Sequence, residues 1–185
     1  MTDEEINNSI ETNELSLTSW GKFTHYGIVY YLLFIPVVVL FVYFKNLVTG
    51  TSKGINVGIL LFLIVPSVIA FLFYKLQRDR LRFHIVQTTL TRAELDKIIQ
   101  NVSKELQWKI FKTDKKIVVA KTFPGFFSGS WGEQITIIFD NQRVLVNSIC
   151  DPDNHSSVVS MGRNKMNTNT LINEIEKAQE AIVAS

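Results

Sequence analysis

Apolar residues fall in two unbroken runs near the amino end, YGIVYYLLFIPVVVLFVYF at 26–44 and GINVGILLFLIVPSVIAFLFY at 54–74. A helix rises about 1.5 Å per residue and the hydrocarbon core of a bilayer is about 30 Å thick, so roughly 20 apolar residues are the required length. Neither run has a charged residue at any angle around its axis, whereas a core helix of a soluble protein keeps a polar stripe. The pattern therefore predicts a hairpin of two membrane-spanning helices within 26–80, since backbone in lipid must satisfy its own hydrogen bonds. A cleaved signal peptide does not fit, because acidic residues (Asp3, Glu4, Glu5, Glu11, Glu14) precede the first run and a second span follows it.

Beyond residue 80 the pattern changes to alternation and helical spacing, which predicts one domain at 81–185. Thr91 and Glu94 fit a capping box, with Leu90 and Leu95 as its hydrophobic staple. Leu95, Ile98, Ile99, Val102 and Leu106 give one apolar face, and the spacing predicts a helix over 92–106. Short strands follow at 108–111 and 117–122, joined by a polar turn at 113–116. A second hairpin pairs 133–139 with 144–150 across a turn at 140–142. Leu171, Ile172, Ile175, Ala178 and Ile182 then recur at helical spacing, with Asn169 or Thr170 as the cap. The order helix, four strands, helix predicts an α+β domain in which a four-stranded antiparallel sheet and two helices form two layers. Residues 1–25, rich in Asn, Ser, Thr and acids, read as a mobile polar tail.

Charge adds orientation. Lys22, Lys75, Arg78, Arg80 and Arg82 flank the outer ends of the spans, against Lys45 and Lys53 in the link. The positive-inside bias therefore places both termini in the cytoplasm and the protein in the inner, cytoplasmic membrane as a multi-pass protein. No ionisable group lies inside either run, which favours an anchor over an ion pathway despite Pro36 and Pro66 near the span centres. The whole chain carries 19 Lys and Arg against 17 Asp and Glu. The basic residues are spread without a stripe, so nucleic acid is not an expected partner. The single cysteine, Cys150, excludes an intrachain disulfide and reads as a buried strand residue.

The segment FPGFFSGSWGEQ at 123–134 places Phe123, Phe126, Phe127 and Trp131 among three glycines. Two readings stay open. The rings form a loop that contacts the lipid interface, an apolar ligand or a partner, or they fold back over the end of the core. At 162–167, Arg163, Asn164 and Lys165 beside a helix start offer an anion site; the competing reading pairs Arg163 with Glu133. Asp151, Asp153 and His155 lack the spacing of a calcium or zinc site, so neither a metal nor another cofactor is expected.

SWGEQITI at 130–137, VNSICDP at 146–152 and MGRNKMNTNTLI at 161–172 together resemble an uncharacterised family of small bacterial domains, often membrane-anchored. The shared features are a Ser-Trp-Gly-Glu strand start and a Gly-Arg-Asn-Lys-x-Asn segment opening the last helix. The resemblance implies the fold order and no activity. The expected function is thus a membrane-tethered domain that binds a protein, a lipid headgroup or an apolar ligand, with no catalytic residues assigned. Two alternatives remain. One is a membrane-proximal hydrolase in which Glu133, Asp151, His155 and Arg163 converge. The other is a subunit or homo-oligomer of a larger complex, associating through the spans by small residues such as Gly54 and Gly58.

Overall fold

The computed structural model describes all residues except 52–53, 126–127, 155–156, 158 and 184–185, and the side chain of residue 183. Its elements follow in the order α1 (Asp3–Thr12), α2 (Ser19–His25), α3 (Gly27–Val48), α4 (Val57–Arg80), β1 (His84–Gln87), α5 (Arg92–Glu105), β2 (Lys109–Thr113), β3 (Ile117–Lys121), β4 (Glu133–Asp140), β5 (Arg143–Cys150) and α6 (Arg163–Val183).

The two apolar runs form α3 and α4, each long enough to cross a membrane. They pack against each other. Only 11% and 6% of their most apolar stretches are buried, so the helices present their side chains outward on nearly all sides. Pro36 and Pro66 lie inside the helices and are among their few buried residues. The polar Ser67 is satisfied locally, its hydroxyl donating to Leu63 O at 2.7 Å. Past the expected end of the second span, α4 runs on through Arg80, so that the span enters the domain as continuous helix.

The sheet has five antiparallel strands in the order β1-β5-β4-β3-β2, a correction to the expected four. The added strand, β1, pairs His84 with Val146 and Gln87 with Arg143 along the outer side of β5. Its apolar residues are too few to stand out beside the basic stretch that precedes it. The two expected hairpins are present as β2–β3 and β4–β5, with a register irregularity between Ile110 and Lys112. In α5 the capping box forms as the pattern predicts: Thr91 Oγ1 accepts from Glu94 N, and Glu94 accepts from Thr91 N at 2.7 Å.

Both faces of the sheet are covered, so the expected two layers become three. On one face Val118, Ala120, Ile135, Ile137, Val144 and Val146 pack beneath α5 and α6. On the other, Ile117, Ile138, Leu145 and Ile149 meet Ile6, Leu15, Leu17, Leu81 and Phe83. The first 25 residues are therefore a structural layer of two helices, where the sequence had suggested a mobile tail. Thr2 and Glu5 close a capping box on α1, and Asn13 ends the helix in the left-handed conformation, φ 55°. The chain then pairs with the segment after α4: Leu15 N donates to Leu81 O at 2.7 Å and Phe83 N to Asn13 O at 3.1 Å. Burial on both faces explains why β4 and β5 read as nearly continuous apolar runs.

The last helix starts at Arg163, well before the expected cap, so Asn169 and Thr170 lie within it. Cys150 is buried as expected, and burial pushes its thiol above the usual value.

Candidate functional site

Where α4 enters the domain, three chain segments enclose a cleft of about 470 Å³. The last turn of α4 and the residues after it contribute Asp79, Arg80 and Arg82, and β1 contributes His84. The first turns of α6 contribute Asn164, Lys165 and Thr168, while β5 forms the floor with Asn147 and Ser148. Arg80, Arg82 and Lys165 face one carboxylate, Asp79, which lies 3.6 Å from Arg82. The cleft is therefore net positive, and the amino end of a 21-residue helix adds its partial positive charge.

Polar side chains hold this cleft in shape. Asn147 sends both hydrogens of Nδ2 to the carbonyls of Arg80 and Arg82, each at 2.9 Å, and thereby fixes the exit of the span to the sheet. A chain of side chains ties α6 to β5. Trp108 Nε1 donates to Asn167 Oδ1, Asn167 Nδ2 to Ser148 Oγ and Ser148 Oγ to Asn164 Oδ1, all at 3.1 Å. Asn147 is only 2% exposed, yet its Oδ1 has no hydrogen-bond donor among the described residues. Such buried acceptors are uncommon, because leaving one unpaired costs about 1–3 kcal/mol.

Of the residues expected at an anion site, Asn164 and Lys165 line this cleft and Arg163 does not. Arg163 Nε lies 3.3 Å from Glu133 Oε2, the pairing that the competing reading gives. Glu133 is fully buried and accepts from the hydroxyls of Thr122 and Ser130 as well. Both of its oxygens are thus occupied. Asp151 is engaged elsewhere: Lys121 Nζ lies 2.8 Å from it and 2.7 Å from Asp153. Burial pulls the Lys121 ammonium down, but the two carboxylates outweigh it and hold its pKa above the usual value. His155 lies outside the described residues. Among those described, no group of three or more His, Cys, Asp or Glu side chains is placed to hold a metal ion.

Phe123 and Trp131 are exposed and border a separate cleft of about 410 Å³ with Pro124, Gly129, Ser130 and Asn154. Phe123 leans on Phe111 at 5.9 Å between ring centroids. Neither ring folds over the core; Phe126 and Phe127 lie outside the described residues. What sequence reading missed is the contribution of Arg80, Arg82 and His84 to the cleft. They sit about 80 residues from α6, and only the docking of the span onto β5 unites them.

The foot of the hairpin carries a buried polar lock. His25 Nε2 lies 2.9 Å from Gln77 O, and Gln77 Nε2 donates to His25 O at 2.6 Å. The carbonyl partner requires a proton on Nε2. Burial lowers the His25 pKa from its ordinary 6.5, the Gln77 bond opposes this, and Arg80 adds a further lowering. The unfolded chain then binds a proton more readily than the folded one, so stability is complete above about pH 6.5 and falls as the pH drops below it. Unfolding in detergent at about pH 8 and about pH 5.5 is expected to show this loss, with a smaller slope for His25→Gln. An equal slope in the variant would assign the acid sensitivity to other groups.

Compared with known proteins, the chain matches no family model, no curated protein and no solved structure.

Proposed function

We propose that this is an integral protein of the cytoplasmic membrane, in which the α3–α4 hairpin crosses the bilayer and holds the α+β domain against the cytoplasmic surface as a binding module. The observation that carries this reading is the outward display of large apolar side chains along both helices, such as Phe34, Phe41, Phe62 and Phe71, each more than half exposed. In water that surface would drive aggregation; in lipid it is solvated.

Two further features support the same placement. Trp20, Phe23 and Tyr30 stack in series at 5.5 and 5.7 Å on the exposed side of α2 and the start of α3, at the level where amphipathic rings favour headgroups. Lys22, Lys75, Arg78, Arg80 and Arg82 gather at the same end of the hairpin, the end that carries the domain. A binding role fits better than catalysis, because Glu133 already spends its oxygens on Thr122, Ser130 and Arg163.

Topology mapping tests the proposal. In a Cys150→Ser background, a membrane-impermeant maleimide is expected to label Thr51→Cys in intact cells and Glu11→Cys only after lysis. Recovery of the full-length protein in the soluble fraction without detergent, or labelling of Glu11→Cys in intact cells, would overturn it.

A further inference from the structure

We propose that the loop end of the domain is a second membrane contact, at which Phe111, Phe123, Trp131 and Met161 enter the headgroup region of the bilayer that holds the spans. The contact presupposes the placement of α3 and α4 in lipid proposed above. Strand register puts these residues at the end of the sheet to which the hairpin is joined. β1 starts at His84, soon after α4, and pairs antiparallel with β5, so β5 runs back toward the span and ends at Cys150. Glu133 pairs with Cys150, Gln134 with Lys121 and Lys121 with Lys109. The start of β2, the residues that leave β3 and enter β4, and those that leave β5 therefore gather at that one end. Met161 joins them, its Cγ 3.0 Å from where a Cβ on Gly129 would stand.

The two ends of the sheet differ in what they expose. At the hairpin end, Phe111, Phe123, Trp131 and Met161 are each more than half exposed. At the other end, the exposed turns carry Asp114, Lys115, Lys116, Asn141 and Gln142. Phe111 and Phe123 stand 5.9 Å apart, and the ammonium groups of Lys109 and Lys121 lie 5.5 and 5.7 Å from the Phe111 ring. Rings with a lysine rim suit the boundary between acyl chains and anionic headgroups. The patch also continues the aromatic foot of the hairpin. A Cβ on Gly21 would stand 3.7 Å from Pro152 Cβ, so α2, with its Trp20–Phe23 stack, packs beside the residue two past the end of β5. Because the spans tether this end of the domain, the bilayer is the apolar phase that the rings meet at high local concentration.

The test reads the depth of a nitroxide on the full chain in nanodiscs of mixed phosphatidylcholine and phosphatidylglycerol, in a Cys150→Ser background. Gly125→Cys carries the reporting label, because a Cβ there meets nothing within 4 Å and every ring is kept. Phe62→Cys in α4 and Gln142→Cys at the far turn, both exposed positions, serve as references for lipid and water. Lipid-soluble oxygen is expected to reach the Phe62→Cys label and a water-soluble nickel chelate the Gln142→Cys label. The Gly125→Cys label is expected to side with the former, at shallower depth. Adding Phe123→Ser and Trp131→Ser should return it to water, shifting the docked-to-lifted ratio at least about tenfold, a factor that about 60 Å² of apolar area taken from water already supplies. A Gly125→Cys label as open to nickel as the Gln142→Cys label would overturn the proposal. So would one shielded from both reagents, the sign of a second copy or another protein on the patch, or one that the two serine substitutions leave at the same depth. In each of these cases an oxygen-accessible Phe62→Cys label keeps the spans in lipid, whereas a nickel-accessible one would overturn their placement and the contact with it.

Discussion

Replacing Ile6 with aspartate is expected to strip the amino-terminal layer from the sheet and to destabilise the domain by more than the about 2–5 kcal/mol of a buried Ile→Ala change. Ile6 is 2% exposed and packs in the cluster that contains Ile117, Ile138, Leu145 and Ile149, the last four at most 1% exposed. Alanine there removes apolar contact and leaves a cavity. Aspartate adds an unpaired carboxylate facing aliphatic side chains, which must be hydrated by pulling α1 away. The loss would spread beyond α1, because Asn13 and Leu15 hold the chain segment at Leu81 and Phe83 that leads from the span into β1. Denaturant titration in detergent should show a lowered midpoint for Ile6→Ala and a further drop for Ile6→Asp, with protease cleavage appearing before residue 18. Glu4→Ala, at an exposed position of the same helix, is expected to stay within about 0.5 kcal/mol of the parent. An unchanged midpoint for Ile6→Asp would mean that α1 does not cover this face.

The importance of that layer bears on what the sequence can and cannot express. The spans, α5 and the two hairpins are written in local periodicity, and the Thr91–Glu94 box closes as its spacing requires. The layer over the second face is not local. α1 offers only Ile6 and Ile10 among acids and amides, a pattern that in isolation resembles a solvated segment, and its helix is held by tertiary burial. The nearly continuous apolar character of Ile135–Ile138, broken only by Thr136, and of Val144–Val146 was the available signal that both faces needed covering. The start of α6 was hidden for a related reason. Asn164, Asn167 and Thr168 are poor helix formers, but there they bond to Ser148, Trp108 and their own helix, so tertiary partners offset weak propensity. The Arg163–Glu133 pair was legible as a charge match. The basic cleft was not, because Arg80, Arg82 and Lys165 meet only after the sheet has brought α4 and α6 together.

Glu133→Leu is expected to cost about 3–5 kcal/mol, the range for removing one partner of a buried ion pair. Glu133 is fully buried at the start of β4, while Arg163 is 29% exposed at the start of α6. Leucine would leave the guanidinium without its carboxylate and the hydroxyls of Thr122 and Ser130 without their acceptor. Thr122 Oγ1 also accepts from Glu133 N at 2.8 Å, and Ser130 Oγ from Gly132 N at 3.2 Å, so the same network shapes the turn into β4. That turn has no room for relaxation: Gly132 has φ 111°, and a Cβ on it would stand 2.7 Å from Thr122 O. Glu133→Gln keeps the shape but turns one acceptor into a donor facing a hydroxyl, for an expected loss of about 1–3 kcal/mol. Arg163→Met should cost less than Glu133→Leu, since the carboxylate retains two hydroxyl donors and the arginine is partly solvated. The double variant Glu133→Leu/Arg163→Met is then expected to be more stable than Glu133→Leu alone, because no half-buried guanidinium is left without its carboxylate. Denaturant midpoints for the four chains decide the matter. If Glu133→Leu proves as stable as the parent, the carboxylate is not a structural keystone, and its burial beside two hydroxyls and an arginine would have to serve a ligand instead.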